Sequence, residues 1–148
     1  MISAARLQVR QPSSTTTTRC VLRMEATIVT YGGSLPRAMA AADELARAGI
    51  DVEVIDLRVL RPLDGETIAA SVRKTHRLVV VDEGWRTCSL AAEIMAGVAE
   101  TAFYELDAPP ARVCTEEVPI PYAKHMEEAA LPMPPKIVAA VRQACGKG

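Results

Sequence analysis

Four consecutive apolar residues, Leu78-Val79-Val80-Val81, followed at once by Asp82-Glu83-Gly84, constrain this chain more than any other stretch. A run without polar alternation buries both of its faces, which is the pattern of a strand inside a parallel sheet rather than of a half-solvated antiparallel one. Such a strand needs paired neighbours and helices above and below. Apolar runs at Thr27–Thr30 and Val52–Leu57 precede it with helical patterns between, so Leu78–Val81, stopping at the Asp-Glu-Gly turn, is expected at the centre of an open α/β sheet.

Taken in order, the chain supplies those partners. Ala26–Tyr31 reads as a strand ending at Gly32-Gly33. Ser34 is placed to cap a helix whose Leu35, Ala38, Ala42, Leu45 and Ala46 share one face, and Gly49 to end it. Ile50–Leu57 is the next strand, Arg58–Pro62 a loop, and Asp64 the N-cap of a helix through Ile68, Ala69 and Val72, with Arg73, Lys74 and His76 at its negative end. After Leu78–Val81 a helix is expected from about Ser89 to Ala102, with Ile94, Met95 and Val98 inward. Three alternations of strand and helix predict a doubly wound sheet with right-handed crossovers.

The texture then changes, because seven of the ten prolines fall between Pro109 and Pro135. Proline neither donates to a ladder nor sits inside a helix. The remainder therefore reads as a short strand at Ala111–Thr115, an extended arm at Val118–Tyr122 (V-P-I-P-Y), and a last helix opened by Pro134-Pro135 and closed by Gly146. At the other end, Arg6, Arg10, Arg19 and Arg23 accompany Ser13, Ser14 and Thr15–Thr18, and no acid precedes Glu25. Residues 1–18 are read as a disordered leader or an organelle-type targeting segment, and 19–148 as one domain. Within the latter, the alternation of Arg19–Arg23 suits a short edge strand. The expected compartment is the cytoplasm, or a mitochondrion or plastid if residues 1–24 are a transit peptide.

Composition narrows the function classes. A chain of 148 residues holds one domain that buries roughly 70% of its unfolded surface. Only 3% of it is aromatic, so the core is built from Val, Ile, Leu, Ala and Met, and stacking on nucleic-acid bases is not expected. Seventeen basic against eighteen acidic residues give a net charge of −1 and no field for DNA or an anionic membrane. No apolar run approaches the ~20 residues of a membrane span. Cys20, Cys88, Cys114 and Cys145 form no C-x-x-C pair and read as reduced packing thiols rather than a zinc or redox site.

Ligands of open α/β sheets collect beyond the carboxyl ends of the strands. Here those ends carry Tyr31-Gly32-Gly33-Ser34, Arg58, and Asp82-Glu83-Gly84-Trp85-Arg86. The glycines would let a phosphate approach a helix N-terminus, but T-Y-G-G-S matches neither dinucleotide nor P-loop spacing, and a plain strand-to-helix turn uses glycine too. Asp82 and Glu83 have the chemistry of an acid–base pair, yet successive strand residues point opposite ways. A charged edge paired with Arg86 or Arg58 at a subunit contact is the expected use. His76 and His125 stand without a nucleophile motif, and His125 is read as a surface or interface residue. Trp85, the single tryptophan, is either a lid on the local core or an interface anchor.

Four segments carry a resemblance: A-T-I-V-T-Y-G at Ala26–Gly32, V-E-V-I-D-L-R-V-L-R-P-L-D at Val52–Asp64, V-V-V-D-E-G-W at Val79–Trp85, and V-P-I-P-Y-A-K-H-M-E-E-A-A-L-P at Val118–Pro132. In this order and spacing the chain resembles the C-terminal domain of the transketolase-like family, on the branch of the beta subunit of thiamine-diphosphate-dependent 2-oxo-acid dehydrogenases of the pyruvate type. The resemblance implies a three-layer α/β/α sandwich with a mostly parallel sheet of about five strands. Its first strand would be an antiparallel edge, a role open to Arg19–Arg23, although Met24-Glu25 replaces the family's glycine turn there.

The resemblance also implies a role without chemistry of its own. This domain binds no cofactor; thiamine diphosphate and magnesium are held elsewhere in the assembled enzyme, through a G-D-G motif this sequence lacks and a catalytic domain of the beta subunit that 25 leader residues cannot form. The implied partners are the alpha subunit, the beta-subunit catalytic domain, a second beta copy and the dihydrolipoyl acyltransferase core. Arg58, Asp82, Glu83, Trp85, Arg86, Pro119, Pro121, Tyr122 and His125 are the expected contact residues, and the chain alone is expected to be inactive. Two other readings stand beside this one. The first is a free-standing module binding a small anion or metabolite at Gly32-Gly33 and Glu83-Gly84, and the second is part of a transketolase or deoxyxylulose-phosphate-synthase relative.

Overall fold

The computed structural model describes residues 24–147 and the backbone of residues 5–7. Five strands form one sheet: β1 (Ala5–Leu7), β2 (Ala26–Thr30), β3 (Val52–Asp56), β4 (Leu78–Trp85) and β5 (Ala111–Thr115), in the order β1-β3-β2-β4-β5. All neighbours run parallel except β1, which lies antiparallel against β3 with Ala5 opposite Asp56 and Leu7 opposite Val54. The antiparallel edge expected of the resemblance is therefore present, and Ala5–Leu7 supplies it; Arg19–Arg23 lies outside the described residues.

The described α-helices are α1 (Leu35–Arg47), α2 (Gly65–Thr75), α3 (Leu90–Ala102), the short α4 (Lys124–Ala130) and α5 (Pro134–Ala144). Strand residues alternate between two cores. Ala26, Ile28, Val54, Val79 and Val113 pack with Leu45 of α1 and Ile137 and Val141 of α5 on one face. Val29, Ile55, Leu78 and Val80 pack with Ile68 and Val72 of α2 and Ile94 and Val98 of α3 on the other. Helices on both faces explain why Leu78–Val81 carries no polar alternation.

Two details differ from the sequence reading. The middle strand is β2, not β4; β4 is interior, between β2 and β5. All five residues of β2 are buried, and its threonines conceal that position from a hydropathy reading. The hydroxyl of Thr27 is 2.7 Å from both Ser71 Oγ and Thr75 Oγ1 on α2, and Ser71 donates to the buried Glu53 (2.9 Å), which also pairs with Lys74 (2.9 Å). Second, β4 does not stop at Val81. It continues to Trp85 through a bulge between Asp82 and Trp85, where Asp82 accepts the Gly84 N–H at 2.7 Å.

Several helix ends follow local chemistry. Asp64 caps α2 by accepting from Thr67 N at 3.1 Å, a bond worth about 1 kcal/mol. His76 ends α2 in the left-handed region at φ +60°, and Gly49 adopts φ +79° just past α1. Ser34 does not cap α1: residues Gly32–Ser34 form a 3-10 turn, so its backbone is already helical, and its buried hydroxyl has no partner among the described residues.

Candidate functional site

The helix after β2 covers one face of the sheet and the helix after β4 covers the other, so the crevice between their carboxyl ends is the switch point of the fold. It is filled by the chain's own side chains. Asp82 is fully buried and accepts from the Tyr31 hydroxyl, from Gly84 N and, at 2.9 Å, from Ala91 N in the first turn of α3. A carboxylate there complements the helix dipole and satisfies orphan N–H groups. Burial first, then the hydrogen bond to Asp82 and the charges of Asp82 and Glu83, push the Tyr31 phenol well above its ordinary value, so it acts only as a neutral donor.

Glu83 points the other way, as successive strand residues do. Its carboxylate lies against Gly33, where an added Cβ would stand 2.6 Å from Oε1, and it pairs with Arg37 of α1 at 2.9 Å. The expected pairing of this acidic edge with Arg86 or Arg58 is thus corrected. Arg37 in the first turn of α1 takes Glu83, Arg58 folds onto Asp56 at the end of β3, and Arg86 is turned toward the Arg112 carbonyl of β5. Asp82, being enclosed, offers no surface to a partner. The two carboxylates are bonded to different elements, Asp82 to α3 and Tyr31 and Glu83 to α1.

Beyond the carboxyl ends of β4 and β5 the surface changes character. Trp85 is 52% exposed and joins neither core cluster. Thr87 donates from its N–H and hydroxyl to Glu117 (3.0 and 2.6 Å), tying this turn to the base of the proline arm. The loop is closed at its base, where Glu116 N donates to the Ala130 carbonyl at 2.8 Å and Lys136 reaches Glu116 and the Ala129 carbonyl. From that base residues 118–122 stand out. Val118, Pro119 and Ile120 are exposed, Pro121 is half-buried, Tyr122 is completely exposed, and His125 and Met126 of α4 are exposed beside them. The turn that carries Trp85 and the arm are linked through Thr87 and Glu117.

One exposed aromatic pair escaped the sequence reading. Phe103 and Tyr104 meet edge to face with centroids 5.4 Å apart just past α3, and Tyr104 is 97% exposed. The available signal was the chain's single Phe beside a Tyr in a sequence with few aromatics. Among the described residues no three His, Cys, Asp or Glu side chains converge as a metal site. The crevice at Gly32-Gly33 already holds a carboxylate, so the residues present do not fit a diphosphate and its magnesium.

Comparison with known proteins places these features in a family context. The family described as "Transketolase, C-terminal domain" matches residues 19–137. The chain is 50% identical over 121 residues to the pyruvate dehydrogenase E1 component subunit beta-1, mitochondrial, of Arabidopsis thaliana, covering 82% of this chain and 33% of that protein. It is 46% identical over 123 residues to the pyruvate dehydrogenase E1 component subunit beta of Rhizobium meliloti, covering 83% and 27%. The chain spans about a third of the length of these relatives. Among solved structures it is similar to a split-gene transketolase, an inactive beta4 tetramer, with a TM-score of 0.72 and 26% identity over 84% of this chain and 39% of that one. A 2-oxoglutarate:ferredoxin oxidoreductase from Magnetococcus marinus shares the fold at a TM-score of 0.58 and 18% identity, covering 83% and 18%.

Proposed function

This chain belongs to the transketolase C-terminal domain family, and from that premise we propose that it is the assembly and subunit-interface domain of a pyruvate-type 2-oxo-acid dehydrogenase beta subunit. The observation that carries the reading is the 50% identity to an E1 beta subunit across 82% of the chain. The geometry supports it in one respect: the exposed apolar residues at one end of the sheet lie on a loop pinned at its base, which presents a preorganised surface. The proposed contact face is Trp85, Pro119, Pro121, Tyr122 and His125, with Arg58, Glu83 and Arg86 at its margin; Asp82 is withdrawn as an internal group.

Within the assembled enzyme, oxidative decarboxylation of the 2-oxo acid and acyl transfer to lipoyl groups fall to other domains. Thiamine diphosphate and magnesium are assigned to the alpha subunit and the beta-subunit catalytic domain. A second beta copy and the dihydrolipoyl acyltransferase core complete the partners. The relatives include mitochondrial and bacterial proteins, and no described helix is long and apolar enough to cross a membrane. We place the chain in the cytoplasm; a reporter fused to residues 1–24 that enters mitochondria or plastids would move it there.

The test is reconstitution. The chain, mixed with an alpha subunit and a beta-subunit catalytic domain of the pyruvate type, should co-elute with them, and Tyr122→Ala combined with Trp85→Ala should weaken that association at least tenfold, as loss of aromatic anchors does. Failure to associate with any of the proposed partners would sink the reading. The alternative of a small-anion module at Gly32-Gly33 is disfavoured by Glu83 lying in that crevice. Tight thiamine diphosphate binding by the chain alone in calorimetry would overturn the assignment of the cofactor elsewhere. The transketolase or deoxyxylulose-phosphate-synthase alternative predicts preferential association with those enzymes' catalytic domains.

A further inference from the structure

A groove of about 560 Å³ runs along the outer edge of β5, bordered by Ala140 and Gln143 of α5, by Cys114, and by Arg86 and Arg112. The two arginines are crossed. Arg112 Nη1 donates to the Arg86 carbonyl at 3.0 Å, and Arg86 Nη1 reaches the Arg112 carbonyl at 3.5 Å. Neither guanidinium has a carboxylate within ion-pair distance among the described residues, although two line the same groove. Glu116 is taken by Lys136 at 2.9 Å, and Glu117 accepts both donors of Thr87.

Two like charges that line one groove without an ion pair of their own repel each other, and the cost falls when an anion sits between them. The two carboxylates of the groove are turned to Lys136 and Thr87 rather than to the arginines. Cys114 lies close enough to feel both guanidiniums, which draw its thiol down, but burial and the charge of Asp82 outweigh them and keep it protonated. Arg112 also keeps a solvent-shielded Nε without a hydrogen-bond partner, the kind of orphan donor that an ion or water commonly satisfies. The site is distinct from the crevice between β2 and β4, where Glu83 already supplies the negative charge.

We propose that the groove between Arg86 and Arg112 binds a phosphate group, free or as a monoester. A phosphate dianion balances both cations and matches the planar fork of donors that a guanidinium presents. A monocarboxylate would leave one charge over. The backbone carbonyls that hold the two side chains in place leave their remaining N–H groups for the ligand.

Phosphorus NMR and calorimetric titrations of the full chain with inorganic phosphate and with glycerol phosphate test this, with acetate as the monoanion. Saturable binding of either phosphate is expected, weakened at least tenfold in Arg86→Ala and in Arg112→Lys and unchanged in Arg73→Ala, an exposed cation on α2. Preference for glycerol phosphate identifies the monoester as the ligand, and equal binding the free anion. Circular dichroism checks that each variant is folded, and the exposed Arg86→Ala alone decides the matter if Arg112→Lys is not. No saturation below ~10 mM, an affinity weaker than about 3 kcal/mol, would overturn the proposal, as would binding that survives Arg86→Ala. None of these outcomes bears on the subunit-contact reading, which the Trp85 and Tyr122 variants test.

Discussion

The turn at the end of β4 and the proline arm are neighbours joined through Thr87 and Glu117, yet they are built on opposite plans. In the turn, Asp82 is enclosed by three donors and Glu83 is bound to Arg37 over Gly33. In the arm, Val118, Ile120 and Tyr122 hold apolar surface out to solvent. A region whose polar groups are already satisfied by the chain spends its chemistry on holding its own shape. One whose apolar groups are exposed spends little on its own fold, which is what the proposed contact face requires.

Replacing residues in the two regions should separate stability from association. The largest effect is expected at Asp82→Ala, which strips acceptors from Tyr31, Gly84 and Ala91 and leaves buried donors unpaired. A loss of about 3 kcal/mol or more in urea unfolding is expected, and a loss below about 1 kcal/mol would break the contrast. Gly33→Ala comes next, at about 0.5–1 kcal/mol, because its methyl group would have to push the end of the Glu83 side chain away from Arg37; the loss should shrink in a Glu83→Ala background, measured as a double-mutant cycle.

Alkaline pH probes the same pair more gently. Folding raises the Tyr31 pKa above the unfolded value of about 10, so the stability this contributes is intact below that pH and is lost as pH climbs beyond it. Unfolding midpoints at successive alkaline pH values should fall more steeply for the wild type than for Tyr31→Phe. The raised thiols of Cys114 and Cys145 act in the same direction in both proteins. Smallest of all, Ile120→Ser and Tyr122→Ala should each change the stability of the isolated chain by less than about 0.5 kcal/mol. A larger loss there would mean that the arm serves the fold after all.

What could be read from the sequence was local or periodic. Asp64 caps α2 because the cap and its partner Thr67 are three residues apart, and α5 follows from Pro134-Pro135 and the spacing of Ile137, Val138 and Val141. Strand β5 agrees at both ends with the expected Ala111–Thr115. What escaped depended on distant residues. The continuation of β4 to Trp85 rests on a bulge steadied by Asp82, whose other partners come from Tyr31 and Ala91. The middle place of β2 rests on Thr27 finding hydroxyls on α2, and the cap at Ser34 was overridden by the 3-10 turn before it. The exposure of residues 118–122 and of Phe103-Tyr104 runs against the rule that apolar residues go inside, so composition alone gave no warning of it.

The Glu53 network bears on how the chain finds its register. Along the aliphatic stretches of β2 and β4 a slip by one residue would trade one aliphatic side chain for another at little cost, so register there rests on Thr27 and Asp82. In β3 the same slip would carry the Glu53 carboxylate from Ser71 and Lys74 on α2 into the aliphatic core beneath α1, where no described polar side chain is placed to receive it. That acidic residue works as a proofreading mark, as Thr27 and Asp82 do in their own strands: it distinguishes the native pairing from its near misses, a task aliphatic side chains alone cannot perform.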